Sequence, residues 1–156
     1  MKRFLVIFLL LSCAIAFSQT KSGADPWPGT FRLDTTKSKF SGQAPKEETV
    51  TVESANKSSV KYTIKGKDAQ NNDYALTYDG KVGTASPQTA DGKEVAQITY
   101  KMPSSHEFTS QGKGSDGSSS SGTVTLSKDN KTITVHESSK DAKGAASSQT
   151  LVYVRQ

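Results

Sequence analysis

The amino-acid sequence predicts an all-β protein, an antiparallel up-and-down meander of eight or nine strands. Short segments alternate apolar residues with Lys, Thr, Ser or Glu at a period of two, as in Val50 and Val52 or in Val60, Tyr62 and Ile64. Gly, Asn, Asp and Ser separate these segments, and after the N-terminal region no sustained stretch has helical spacing. A small closed barrel is the first interpretation, and a β-sandwich is the alternative.

Nine strands follow from this alternation. They span residues 30–34, 49–54, 59–65, 73–79, 94–102, 106–111, 122–127, 132–137 and 149–155. None of the five prolines lies inside one of these ranges, as expected for residues that cannot donate to a ladder. Because no helical crossover intervenes, successive strands are expected to pair as hairpins.

The first 18 residues match a secretory signal. Met1-Lys2-Arg3 is basic, residues 4–11 are an unbroken apolar run, and small residues allow cleavage after Ala16 or Ser18. The run is too short to span a bilayer, and no transmembrane span is expected in the mature chain. The sequence therefore predicts an exported protein, periplasmic or extracellular.

Cys13 is the only cysteine and lies inside this signal, so the mature chain is expected to lack a disulfide. The preceding Leu10-Leu11-Ser12 leaves open a minor alternative in which Cys13 is lipidated and anchors the protein.

Three segments are predicted: the signal at 1–18, a flexible polar segment at 19–26, and a single β-barrel domain at 27–156. Lys2 and Arg3 leave with the signal, so the formal charge of +5 falls by two. The remaining lysines are dispersed between strands without interleaved aromatics. This pattern predicts no nucleic-acid partner.

Four tyrosines share the inward parity of neighbouring strands. With Phe108 they form the candidate ligand-binding set Tyr62, Tyr74, Tyr78, Tyr100 and Phe108. A buried phenol needs a hydrogen-bond partner, so the set predicts a cavity for a small apolar or amphipathic ligand. The alternative is a lumen filled by apolar side chains, with the tyrosines as ordinary sheet aromatics. In the last strand either Val152 and Val154 or Leu151 and Tyr153 face inward.

Connections in a meander alternate between the two barrel ends. With nine strands, the connections 80–93, 112–121 and 138–148 share one end, where a binding mouth is predicted. The long connection 35–47 then lies at the other end and can cap it with Phe40.

A family resemblance enters at residues 29–50. The strand Gly29-Thr30-Phe31-Arg32-Leu33-Asp34, followed by Lys37-Ser38-Lys39-Phe40 and Pro45-Lys46, resembles a group of uncharacterised exported bacterial proteins that open with a G-T-W-x-L-N type strand. The resemblance implies a lipocalin-like barrel and brings no known activity. Gly29-x-Phe31 is also similar to the G-x-W element of lipocalins, in which the aromatic closes one end. It implies barrel-end packing between Phe31 and Arg155.

The sequence predicts no catalysis, metal or cofactor. His106 stands in Ser104-Ser105-His106-Glu107, but adjacent strand residues are expected to point to opposite faces and cannot form a triad. His136 is expected to be solvated, and no His, Cys, Asp or Glu group has metal-ligand spacing. The predicted function is binding of a small, partly apolar ligand in the lumen. The alternative is a ligand-free envelope or cell-surface interaction module whose protein partner is unknown.

Overall fold

Ten antiparallel strands form a closed barrel in the computed structural model, which describes residues 25–156. The strands are β1 Gly29–Leu33, β2 Glu47–Ala55, β3 Ser59–Lys67, β4 Asp73–Lys81, β5 Ser86–Ala90, β6 Lys93–Ser104, β7 Glu107–Gly114, β8 Ser119–Leu126, β9 Thr132–Lys140 and β10 Ala146–Arg155. Each strand pairs with its sequence neighbours, and β1 also pairs with β10. The predicted all-β barrel is therefore confirmed and the sandwich alternative is wrong.

The predicted signal at 1–18, Cys13 and residues 19–24 of the predicted flexible segment lie outside the described residues. Among residues 25–156, no helix has the length and hydropathy that crossing a membrane requires.

The barrel has ten strands, so the prediction of eight or nine is wrong. The strand that was not predicted is the short strand β5. This region lies within the predicted connection 80–93, and it contains Pro87, a residue type that disfavours strands. Strand β4 pairs with β5 only through Gln88, Thr89 and Ala90, so Pro87 lies beyond that ladder and its missing N–H breaks no bond to β4. A proline is thus tolerated in β5 at a position that does not pair with β4.

The extra strand changes which connections share a barrel end. Connections 34–46, 68–72, 91–92, 115–118 and 141–145 lie at one end, here called the loop end. Connections 56–58, 82–85, 105–106 and 127–131 lie at the other, here called the plugged end. The prediction that 35–47 lies opposite 112–121 and 138–148 is therefore wrong, because an added strand inverts the order of ends after it.

The alternation of side chains along each strand determines which of them face the barrel interior. Val52, Tyr62 and Tyr78 are paired across β2, β3 and β4, and Val52 and Tyr78 are buried. In β10, Tyr153 is buried and Leu151 packs against the core, so this pair faces inward and Val152 and Val154 face outward. Directly opposed residues on neighbouring strands point to the same face of the sheet. The pairing register therefore determines which residues of every strand face inward.

Aromatic side chains close the plugged end. Trp27 is 2% exposed, and its ring meets Phe108 edge-to-face with centroids 5.1 Å apart. Its Nε1 donates to the carbonyl of Ser105 at 2.9 Å. The carboxylate of Asp25 accepts hydrogen bonds from the backbone N–H groups of Trp27 and Ala55, both at 3.1 Å. Asp25 therefore belongs to the barrel and not to the flexible segment in which the sequence analysis placed it.

Candidate ligand site at the loop end of the barrel

The connection 34–46 folds across the loop end. Lys39 and Thr150 exchange two backbone hydrogen bonds, at 2.7 and 2.8 Å, and form an isolated bridge to β10. Ser38 Oγ donates to the carbonyl of Asp34 at 2.7 Å and accepts from the N–H of Val152 at 2.9 Å. These bonds hold Phe40, the next residue along the chain, against the core. We call residues 34–46 the cap.

The cap starts from a tight turn around Asp34. Asp34 Oδ1 accepts from Thr36 Oγ1 at 2.6 Å and from the N–H groups of Thr36 and Lys37 at 3.1 and 3.2 Å. Lys37 Nζ lies 2.9 Å from Asp34 Oδ2. The hydrogen bond from Thr36, with those from Lys37, lowers the pKa of Asp34 to about 2. The carboxylate thus orders the first residues of the cap by accepting one hydroxyl and two backbone N–H donors of the turn.

A cavity of about 300 Å³ lies beneath the cap. Its apolar walls are Leu33, Phe40, Pro45, Ala69 and Leu151, together with the ring of Tyr74. Its polar groups come from Gln43, Glu48, Asp68, Gln70 and Gln149. Apolar walls with a few convergent polar groups are the usual composition of a small-molecule site, and this volume is at the small end of the roughly 300–1,000 Å³ range of such sites.

Glu48 is the central polar group of this cavity. Tyr74 donates its phenol hydrogen to Glu48 Oε2, and Tyr153 donates to Oε1, so strands β4 and β10 meet at one carboxylate of β2. Burial, with the charge and hydrogen bond of Glu48, raises the pKa of both phenols. Both tyrosines therefore remain donors at neutral pH.

Gly66 makes room for Tyr74 at this site. The two residues are directly opposed on β3 and β4. A Cβ at Gly66 would lie 2.7 Å from the Tyr74 oxygen and 2.8 Å from the adjoining ring carbon. The missing side chain lets the Tyr74 ring lean across β3 toward Glu48, a close approach that only glycine allows.

A second carboxylate faces the interior on β9. Glu137 and Gln149 are opposed on β9 and β10, and Gln149 Nε2 donates to Glu137 Oε2 at 2.8 Å. The charge of Glu137 contributes to the raised pKa of Tyr62, Tyr100 and Tyr153, after the larger effect of burial. The loop half of the interior is therefore acidic as well as polar.

Three of the predicted ligand-binding tyrosines pack against one another. Tyr62 and Tyr78 stack with centroids 5.4 Å apart, and Tyr100 meets Tyr78 edge-to-face at 5.1 Å. Phe108 continues this cluster, 6.1 Å from Tyr100 and in contact with Trp27. These ring contacts continue through the barrel interior to Trp27 at the plugged end.

The phenols of this cluster find partners inside the barrel. Gln88 Nε2 donates to the Tyr62 oxygen at 3.0 Å, and the Tyr62 and Tyr100 oxygens are also 3.0 Å apart. Tyr78 donates to the carbonyl of Ile98 at 3.1 Å. Burial raises the pKa of Tyr62 to about 12, and it raises the pKa of Tyr100 well above its ordinary value. The hydrogen-bond capacity that the sequence analysis assigned to a ligand is thus partly met by the protein.

The structure therefore divides the predicted set. Tyr74 lines the 300 Å³ cavity, whereas Tyr62, Tyr78, Tyr100 and Phe108 form the packed aromatic cluster. That these four line a ligand cavity stays a prediction. Glu48 and Glu137 were missed, although their parity offered a signal: Glu48 shares the face of Val50 and Val52, and Glu137 that of Ile133 and Val135. A carboxylate on inward parity near a strand end marks a polar mouth.

The predicted barrel-end residues Phe31 and Arg155 are brought together at the plugged end. Phe31 is fully buried, and the guanidinium carbon of Arg155 lies 4.3 Å from its ring centroid. Arg155 also donates to the carbonyls of Asn130, Pro28 and Pro26, at 2.6, 2.7 and 2.8 Å. One side chain thus joins the N-terminal segment, the 127–131 turn and the last strand.

His106 lies in a two-residue turn, where strand alternation does not apply. Its Nδ1 is 3.0 Å from Ser105 Oγ, and its Nε2 is 3.1 Å from Asn130 Oδ1. The side chains of Ser105 and His106 therefore meet at this turn, and the prediction that they point to opposite faces is wrong here. His136 is exposed, as its parity indicates, with Nδ1 3.0 Å from Thr150 Oγ1. That the protein is not an enzyme stays a prediction.

Two larger grooves follow the outer wall of β6–β10, with volumes of about 590 and 820 Å³. Most of their lining residues have outward parity. Those common to both grooves are Thr99, Gln111, Ser121, Ser138 and Ser148. We base the candidate site on the smaller cavity, because it joins apolar walls, a cap and the interior hydrogen-bond network.

The fold and the site together define a closed antiparallel β-barrel with a capped cavity at one end. No protein-family model and no curated protein matches the sequence. Solved structures do match its fold. A redesigned β-barrel has 12% identity and a TM-score of 0.52, over 84% of this chain and 92% of that one.

Two further matches are a protein solved bound to DFHBI, with 10% identity and a TM-score of 0.49, and a de novo designed fluorescence-activating β-barrel, with 16% identity and a TM-score of 0.45. Each covers 85% of this chain and 96% of its own. The match to the redesigned β-barrel, at 12% identity, establishes the fold alone.

Proposed function

We propose that this protein binds a small, partly apolar ligand in the cavity beneath the cap. The observation that carries the proposal is the composition of that cavity: five apolar side chains and the Tyr74 ring line it together with a hydrogen-bonded carboxylate, within about 300 Å³. The proposal moves the binding site from the middle of the barrel to its loop end.

The aromatic cluster, which does not line this cavity, supports a site at the loop end rather than in the middle of the barrel. Tyr62, Tyr78 and Tyr100 hold their places through ring packing and internal hydrogen bonds, so the ligand displaces none of them. The cap supplies the roof, since its bridge to Thr150 positions Phe40. A preformed roof reduces the entropy lost on binding.

Export is part of the same proposal. It rests on the basic start, apolar run and small residues of positions 1–18, and it places the barrel in the periplasm or outside the cell. The resemblance at residues 29–50 is to exported proteins and so supports export, but it brings no known activity.

Native mass spectrometry of the protein purified from its own exported fraction tests both parts. We expect a reproducible added mass that is lost on denaturation, in a chain shortened at its N-terminus. Leu151→Trp fills the cavity and should abolish the added mass. Val152→Trp is the matched control, because the neighbouring residue faces outward on the same strand, and should retain it.

Two results would reject the ligand-binding proposal. One is an equal added mass in both tryptophan variants. The other is a bare mass in the wild type that stays bare after incubation with Nile red, an apolar dye used as a general probe. A protein confined to the cytoplasm with residues 1–18 intact would reject export and leave ligand binding standing.

A second candidate function is a surface interaction module. The observation that favours it is the pair of outer grooves on β6–β10, lined largely by Ser, Thr and Gln. If this wall binds a protein partner, Ser138→Arg should abolish chemical cross-linking to that partner, whereas Thr63→Arg on β3 should not.

A further inference from the structure

The charge of the loop-end cavity indicates which ligands suit it. Among the residues that line it are two carboxylates, Glu48 and Asp68, and no Lys, Arg or His. The positive charge of Lys46 interacts with Asp68, but Lys46 does not line the cavity. These carboxylates repel a negatively charged group, so an anionic ligand is disfavoured there.

Glu48 is arranged as an acceptor on both oxygens. Tyr74 and Tyr153 each donate to a different oxygen, and an ionised carboxylate has about four lone-pair directions in all. Directions therefore remain for a donor from the ligand. The two phenols hold the carboxylate in place before a ligand arrives, which is the preorganisation that a charge-recognising group needs.

Aromatic rings and apolar walls stand around the same carboxylate. Phe40 from the cap and Tyr74 from β4 both line the cavity, with Leu33 and Leu151 beside them. A ring face attracts a cation, and apolar walls accept the alkyl groups of a substituted ammonium more readily than the hydration shell of a free one.

We propose that the ligand of this cavity carries a positively charged nitrogen beside an apolar group, as an alkylated amine or a quaternary ammonium does. This inference rests on the proposed function, because it assumes that the cavity binds a ligand. Glu48 and Asp68 provide the opposing charge, Phe40 and Tyr74 the aromatic rings, and Leu33 and Leu151 the apolar wall.

Displacement of Nile red by three matched probes tests the charge preference. Hexyltrimethylammonium, hexanol and hexanoate share one alkyl chain and differ in the charge of the head. We expect the ammonium to displace the dye at a concentration about tenfold or more below that of hexanol, and hexanoate to be the weakest. Added salt should weaken only the ammonium.

Variants assign the preference to residues. Glu48→Gln should reduce the advantage of the ammonium over hexanol to about twofold or less. Asp68→Asn keeps an oxygen acceptor for its own turn and should cause a smaller reduction, which keeps the test usable if Glu48→Gln fails to fold. Asp79→Asn, on the outward face of β4, is the control and should leave the advantage intact.

The outcomes separate the two proposals. If hexanol or hexanoate displaces the dye as well as the ammonium does, the charge assignment is overturned and ligand binding stands. If neither the dye nor any probe binds, both fail. If the ammonium advantage persists in Glu48→Gln and Asp68→Asn, its origin lies outside this cavity and the inference is overturned.

Discussion

The guanidinium carbon of Arg155 lies 4.3 Å from the centroid of the Phe31 ring. The three guanidinium nitrogens of Arg155 all donate to backbone carbonyls. Residues from both ends of the described chain thus meet at the plugged end. Phe31 lies directly opposite Arg155 in the pairing of β1 with β10, so this contact stands at the seam that closes the barrel.

Replacing Arg155 should weaken the seam. We expect Arg155→Ala to lower the free energy of unfolding by about 3 kcal/mol, because three charge-assisted hydrogen bonds and a cation–π contact are lost. Arg155→Lys should cost roughly 1–2 kcal/mol, since an ammonium does not reproduce the planar fork. Urea denaturation measures both. Arg32→Ala, exposed on the adjacent strand, should stay within about 0.5 kcal/mol of wild type; an equal loss there would contradict a special role for Arg155.

Gly29 is required beside that guanidinium. Its φ is +146°, a region that side chains rarely adopt, and a Cβ there would overlap Arg155 Nη1. We expect Gly29→Ala to destabilise the barrel by about 2–3 kcal/mol. Gly83→Ala separates the two causes, since its φ is +83° with no atom near the added Cβ. Gly42→Ala, with open space around it, should be nearly neutral. If all three variants melt alike, the contact with Arg155 is unimportant.

The Gln88–Tyr62–Tyr100 chain should behave as a unit. Tyr62→Phe removes the middle oxygen and leaves two polar groups without that partner, at an expected cost of about 1–3 kcal/mol. The triple variant Gln88→Leu, Tyr62→Phe, Tyr100→Phe removes the whole chain and should cost less than the sum of the single changes. Chemical denaturation of each variant gives the comparison, and strict additivity would show that the three groups are not coupled.

Alkaline pH should unfold the barrel through its tyrosines. Burial raises the pKa of all five phenols above the ordinary value of 10.0, that of Tyr62 to about 12. The folded state therefore holds these protons more tightly. The stabilisation that these bound protons give to the folded state is complete below pH 10. It is lost as pH rises through the folded-state pKa values. We expect phenolate absorbance and loss of β-sheet circular dichroism to rise together above pH 10. Phenolate formation in a fully folded barrel would refute the burial argument.

Asp34 should control the order of the cap. Its pKa is lowered to about 2, so the stabilisation it contributes is present above pH 3.8 and is lost as pH falls toward 2. We expect Asp34→Ala to speed amide hydrogen exchange at Lys37, Ser38 and Lys39 by about tenfold, with little change in the barrel strands. Thr35→Ala, in the same turn, is the control, and equal exchange in both variants would remove Asp34 from this role.

Much of the barrel was predictable from local pattern. Alternation identified the inward residues of most strands because burial on one face of a sheet imposes a period of two, as Val52, Tyr62 and Tyr78 show. It also identified nine of the ten strands. Strand β5 escaped because Pro87 is a strand breaker in general, and only its position outside the β4 ladder makes it harmless.

The candidate site was less predictable. Tyr74 was proposed from its parity, and Phe40 as a cap residue, but both were placed without knowledge of Glu48. Four of the five proposed ligand contacts turned out to pack on one another, since parity says that a side chain faces inward and not what it meets there.

The sequence by itself determined the all-β class, the antiparallel order and the inward face of most strands, because these depend on neighbours a few residues apart. Only the tertiary structure decided that Leu151 and Tyr153 face inward and that the cap shares an end with 115–118 and 141–145. It alone brought Tyr74 and Tyr153 to the two oxygens of Glu48. That meeting joins residues 26 and 105 positions apart, and closure of the sheet, which no local pattern encodes, places them within reach.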